Sequence, residues 1–91
     1  MATLDVEVVA ADRHVWSGEA HFVKATTVEG EIGVMPSHSP LMALLASGDV
    51  EVEPVDGARI HIQAAGGFFS VDSNRVTIVA DRASLVDSTV A

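Results

Sequence analysis

The chain has no cysteine, only four aromatic residues, a single lysine and a shortage of positive charge. Each of these gaps removes a class of function. Without cysteine there is no disulfide framework, no thiolate nucleophile and no cysteine-based zinc or iron–sulfur site, so stability must come from packing. Thirteen acidic residues against five basic ones give a net charge of −8, the wrong sign for gathering contacts along a phosphate backbone or on an anionic membrane surface. Nucleic acid is therefore not expected as a partner. The longest stretch free of Asp, Glu, Lys and Arg spans seventeen residues, Ile32 to Gly48, yet it contains two prolines, a histidine and three serines. Such a segment cannot be a transmembrane helix, and direct membrane insertion is not expected. Asp5 and Glu7 interrupt the N-terminus before an apolar run can form, so the mature protein is expected to start near Met1 in the cytoplasm.

What the sequence does contain is strand material. Ninety-one residues fit one domain with a single thin core. Hydrophobic residues make up 48% of the chain, and with Trp16, Phe22, Phe68 and Phe69 as the aromatics, the core must be built mainly from Val, Ile, Leu and Ala. The positive mean hydropathy of so small a chain hints at apolar surface covered by a partner. An Ala- and Val-rich monomer would fit the composition equally well.

Period-two alternation dominates. Leu4, Val6 and Val8 alternate with Thr3, Asp5 and Glu7, predicting a first strand over 2–10 that is wet on one face. Asp12 and Arg13 predict a turn, His14 to Ser17 a short return strand ending at Gly18, and Ala20 to Val28 a third strand. Gly30 and Gly33 permit tight turns or bulges, and Pro36 ends ladder pairing. LMALLA reads as a short strand or an irregular segment. Val50 and Val52 alternate with Glu51 and Glu53, and after the Asp56–Gly57 turn Ile60 and Ile62 alternate with Arg59, His61 and Gln63, completing a hairpin. Gly66 and Gly67 predict a turn or bulge where another backbone comes close. FFSV and RVTIVA form a second hairpin about the turn DSN, and only Asp81 to Ala91 lacks a strong pattern. The reading is all-β: seven to ten short strands in an antiparallel sandwich or barrel, one domain over 1–84 with a short tail over 85–91.

Four groupings could carry chemistry. SHSP, residues 37–40, places His38 between two serines, but a serine nucleophile needs an imidazole at its hydroxyl, an orienting acid and an oxyanion hole, and no G-x-S-x-G elbow is present. A proline-fixed loop is the better reading. His14, His21, His38 and His61 are scattered, with no H-x-x-x-H pair, so no metal site is expected. The glycines of EGEIG and AAGGFF do not follow phosphate-loop spacing, so no nucleotide site is expected either. Glu29 and Glu31 alternate onto one face of an extended segment, a pattern that glycosidases use but that solvated strand acids usually explain. No catalytic residue and no cofactor are expected.

The ordered set EGEIGVMPSHSPLMALLASGDV, AAGGFFSV and NRVTIVAD resembles the epsilon subunit of F-type ATP synthases over nearly the whole chain. The resemblance implies a flattened antiparallel sandwich of about ten short strands in the central stalk, a non-catalytic rotor subunit that binds the gamma subunit and the c ring and couples proton-driven rotation to ATP synthesis. It further implies a peripheral position at the cytoplasmic face of the plasma membrane. In that family the Gly-Glu loop and the histidine loop lie at one end of the sandwich, with Glu31 toward the c-ring loops and His38 at the rotor contact. The implied partner-binding residues are Glu31, Met35, Ser37, His38, Ser39, Leu41 and Met42, with Leu41 and Met42 exposed to supply apolar area and Pro36 and Pro40 preordering the loop. Members commonly continue into a C-terminal helical hairpin, for which ASLVDSTVA is too short, so hairpin-mediated inhibition of ATP hydrolysis is not expected from this chain. The alternative is a free-standing sandwich that binds a small ligand or hydrolyses one through SHSP.

Overall fold

Alternation in the sequence becomes alternation in burial. In the computed structural model, which describes residues 2–86, the first strand β1 (Leu4–Ala10) buries Leu4, Val6, Val8 and Ala10 and turns Asp5 and Glu7 to solvent. The chain continues through β2 (Arg13–Thr27), β3 (Gly30–Val34), β4 (Leu41–Leu44), β5 (Gly48–Pro54), β6 (Ile60–Ala65), β7 (Phe68–Asp72), β8 (Arg75–Ala80) and β9 (Arg82–Val86). Of the expected tail, residues 87–91 lie outside the described residues.

The strands are hydrogen-bonded in the order β4-β7-β8-β1-β2-β5-β6-β9, with β3 joined to β2. All pairs are antiparallel except β1 with β8, which run parallel from Asp5↔Arg75 to Ala10↔Ala80. The long β2 folds this sheet into two layers. Its first half pairs with β1, and its second half has β3 on one side and β5 on the other. Register slips twice, leaving Val15 without a partner on β1 and His21 without one on β5. Bulges of this kind bend a strand and let it serve two layers. The expected break at Gly18 is absent, and the return strand and third strand are one strand of 15 residues. The ladder runs on through Val6↔Gly18 because the Trp16 ring covers the glycine, 3.1 Å from where a Cβ would stand.

The opposite layer is closed by β9, which falls in the segment without a sequence pattern and pairs with β6 from His61↔Val86 to Ala65↔Arg82. The Arg13 guanidinium donates to the Ala83 carbonyl at 2.7 Å, tying β9 back to the start of β2. Between the layers lies one core of Val, Ile, Leu and Ala around a single fully buried aromatic, Phe69. Extents of 33 × 31 × 23 Å give the flattened shape that the resemblance implied. Two turn expectations hold in detail. Ser73 and Asn74 both take positive φ, 52° and 65°, closing the β7–β8 hairpin on a type I′ turn. Gly67, at φ 100°, has the Val79 carbonyl where a side chain would begin and Ala80 Cα only 2.7 Å away, the close backbone approach that the glycine pair suggested.

Candidate partner-binding surface

Between β3 and β4 the chain crosses from one layer to the other through Met35 to Pro40. Ser37 takes φ 73° and donates its amide to the Asn74 side-chain oxygen at 2.7 Å. The His38 amide donates to the Met35 carbonyl at 3.2 Å, which tightens the loop into a turn. The His38 Nδ1 lies 2.7 Å from the Ser39 carbonyl. A carbonyl can only accept, so Nδ1 carries the proton of that bond, and among the described residues no hydrogen bond joins the ring to a serine hydroxyl. The hydrolytic alternative loses its base–nucleophile pair.

Met35 stands exposed at the head of this loop and Met42 on the strand beyond it, at 62% and 73%. Leu41 corrects an expectation: it faces inward and packs against the core, because β4 alternates with Leu41 and Ala43 in and Met42 and Leu44 out. The exposed apolar partner of Met42 is therefore Leu44, at 63%. Glu31 lies away from the loop on the outer face of β3, opposite Thr26, with its carboxylate 3.9 Å from the Lys24 ammonium. Glu29 sits in the preceding turn, not on the strand. That turn and the histidine loop occupy opposite ends of β4, not one end as the resemblance implied. The Val28 amide donates to the Leu44 carbonyl at 3.0 Å, while the loop reaches the β7–β8 turn past Leu41↔Val71. The strand between them keeps them apart.

Register builds a surface that single residues do not announce. On the outer face of the first layer, Leu44 stands opposite Phe68, Phe68 opposite Val79, and Val79 opposite Val9. Four strands thus present one continuous apolar row, exposed at Leu44 and half-buried at the other three. Val28, 62% exposed, extends it at the Leu44 end. Beyond Met42, the row Arg75, Asp5 and Glu19 is charged. Sequence reasoning missed this surface, although it leaves a signal. Leu44–Leu45, Phe68–Phe69, Ile78–Val79 and Val8–Val9 are apolar doublets, and in a strand one member of each must face outward.

The outer face of the second layer is charged and internally paired. Lys24 Nζ lies 2.7 Å from Glu51, and Arg59 reaches Glu51 at 3.2 Å and Glu53 at 3.3 Å. The hydrogen bond from Lys24 holds the Glu51 carboxyl below the ordinary glutamate value, and the same bond raises Lys24. The hydrogen bond to Glu53 likewise raises Arg59. His61 and Gln63 both meet the Asp49 carboxylate, at 3.0 and 3.2 Å, so His61 is a paired residue rather than a freely solvated one. Among the described residues no group of His, Asp and Glu is arranged to hold a metal, and no helix is long and apolar enough to cross a membrane.

One face with a cross-strand cluster of paired charges and one with an apolar row make up a small β-sandwich module. The family model described as "ATP synthase, Delta/Epsilon chain, beta-sandwich domain" matches residues 3–86, and the chain belongs to that family. The ATP synthase epsilon chain of Micrococcus luteus is 50% identical over 91 residues, all of both chains. That of Streptomyces avermitilis is 49% identical over 86 residues, 94% of this chain and 69% of its own. Among solved structures, a chain of the Euglena gracilis mitochondrial ATP synthase (OSCP/F1/c-ring) superposes with a TM-score of 0.86 at 26% identity, over 93% of this chain and 54% of that one. This chain thus spans about half the length of the Euglena chain. A chain from the Tetrahymena thermophila central stalk/c-ring structure shares the fold, with a TM-score of 0.74 at 12% identity over 89% of this chain and 65% of its own. By family, the protein is a non-catalytic accessory subunit of ATP synthase, a membrane-associated complex.

Proposed function

We propose that this chain is a central-stalk rotor subunit that docks on the gamma subunit and the c ring and couples proton-driven rotation to ATP synthesis at the cytoplasmic face of the plasma membrane. The observation that carries the reading is the apolar row Leu44–Phe68–Val79–Val9, with Met42 beside it, on a sandwich whose other face pairs its own charges. An apolar row that reaches solvent at Leu44 and Met42 on a small protein supports a binding site there. In this reading Met42 and Met35 supply flexible apolar contact area. Ser37, His38 and Ser39 present the turn between them, Leu41 anchors β4 from inside, and Glu31 meets a polar partner loop from the far end of the strand. The names of the Euglena and Tetrahymena assemblies, which include the c ring, support the choice of partners. A stiff, all-β body is suited to passing torque between them.

Co-expression with the gamma subunit of the same genome, followed by size exclusion with multi-angle scattering, tests the reading. A one-to-one complex is expected. A chain that elutes alone beside free gamma would reject it.

A further inference from the structure

The histidine loop is held by one side chain from another strand pair. Ser37 sits at φ 73°, a left-handed conformation that a non-glycine residue rarely adopts unless its surroundings impose it. The imposing contact is the 2.7 Å bond from the Ser37 amide to Asn74 Oδ1. Asn74 can offer that oxygen because it occupies the second position of the type I′ turn at φ 65°, a positive φ that asparagine tolerates. The turn is itself fixed, since the Asn74 carbonyl accepts the Asp5 amide at 2.7 Å at the head of β1. One half-buried residue therefore joins the start of β1, the β7–β8 hairpin and the loop that carries Met35, Ser37 and His38.

We propose that Asn74 is a positioning residue for docking: its side-chain oxygen latches Ser37 and holds the 35–40 loop in the shape in which it meets the partner. The inference rests on the docking role proposed above. It also predicts which substitutions are tolerated. Asn74→Gly keeps the positive φ and removes the latch. Asn74→Asp keeps an acceptor of the same shape, with the added charge beside Asp5 and Asp72 screened at moderate salt.

Amide exchange followed by nuclear magnetic resonance on the whole chain, together with gamma binding, separates the possibilities. In Asn74→Gly the Ser37 amide should exchange about tenfold faster while Val76 and Ile78 on β8 keep their protection, and gamma binding should weaken about fivefold. Asn74→Asp should restore both. An unchanged Ser37 exchange rate in Asn74→Gly overturns the latch. Faster exchange with unaltered gamma affinity overturns the positioning role. Failure of the unsubstituted chain to bind gamma would instead sink the docking role itself, and the exchange data would still decide the latch.

Discussion

Met42 illustrates how little a residue proposed for docking owes to the fold that carries it. Its side chain is 73% exposed and touches solvent where its strand neighbours Leu41 and Ala43 are half-buried and Leu41 packs on the core. Met42→Asp should leave the melting temperature within about 2 °C of wild type, as surface substitutions do. It should also weaken gamma binding at least about tenfold by placing an unpaired charge in an apolar contact. Titration calorimetry and a thermal scan check the two halves, and a collapse in melting temperature would mean the residue is structural. Gly67 behaves in the opposite way. Gly67→Ala must fit a Cβ against the Val79 carbonyl at φ 100°, so it should cost about 3 kcal/mol in chemical denaturation. Gly57, also at positive φ but with open space around it, should tolerate the same change better. The glycine pair was legible in the sequence as a place of close approach. The inward turn of Leu41 was not, because a run of apolar residues carries no mark of which ones face the core.

At the scale of elements, β2 and its neighbours decide what each face can do. Its second half carries Lys24 to the middle of a cross-strand cluster with Glu51 on β5 and Glu31 on β3. The Glu51 carboxyl is held below its ordinary value of 4.5, so its contribution to stability is present above that value and is lost as pH falls through the lower folded one. Lys24 is raised above 10.5, and its share persists until pH climbs past that value. The pair therefore adds a constant increment across neutral pH. Glu51→Gln should flatten the fall in melting temperature as pH drops below 4.5, and an unchanged acid limb would remove this pair as a source of that fall. The hairpins of β5–β6 and β7–β8 were readable because turn chemistry and alternation agree in them. The single long β2 was not, since Ser17 and Gly18 look like a stop until the Trp16 ring is seen to cover the gap. Nor was β9, whose pairing with β6 draws on a partner twenty residues away rather than on its own pattern.

For the molecule as a whole, a thin core leaves little reserve. Phe69 is the largest fully buried side chain, and Phe69→Ala should cost about 3–5 kcal/mol. Against a typical stability of about 5–15 kcal/mol, that is a large fraction. A loss of more than about 12 °C in melting temperature is the expected outcome for a chain of this size, and a smaller shift would mean the layers close over the cavity. The sequence by itself determined that this is an all-β chain without metal-binding or thiolate motifs, with alternating strands, two hairpins and an ordered set of motifs pointing to one family, since period and turn chemistry are local properties. Tertiary structure decided which apolar residues form a surface and which form the core. Leu44, Phe68, Val79 and Val9 are far apart in sequence and become one row only through register, which is set by pairings between distant strands. The same holds for the bond from Ser37 to Asn74, which spans thirty-seven residues. Such contacts depend on how two layers stack, and no local pattern encodes that.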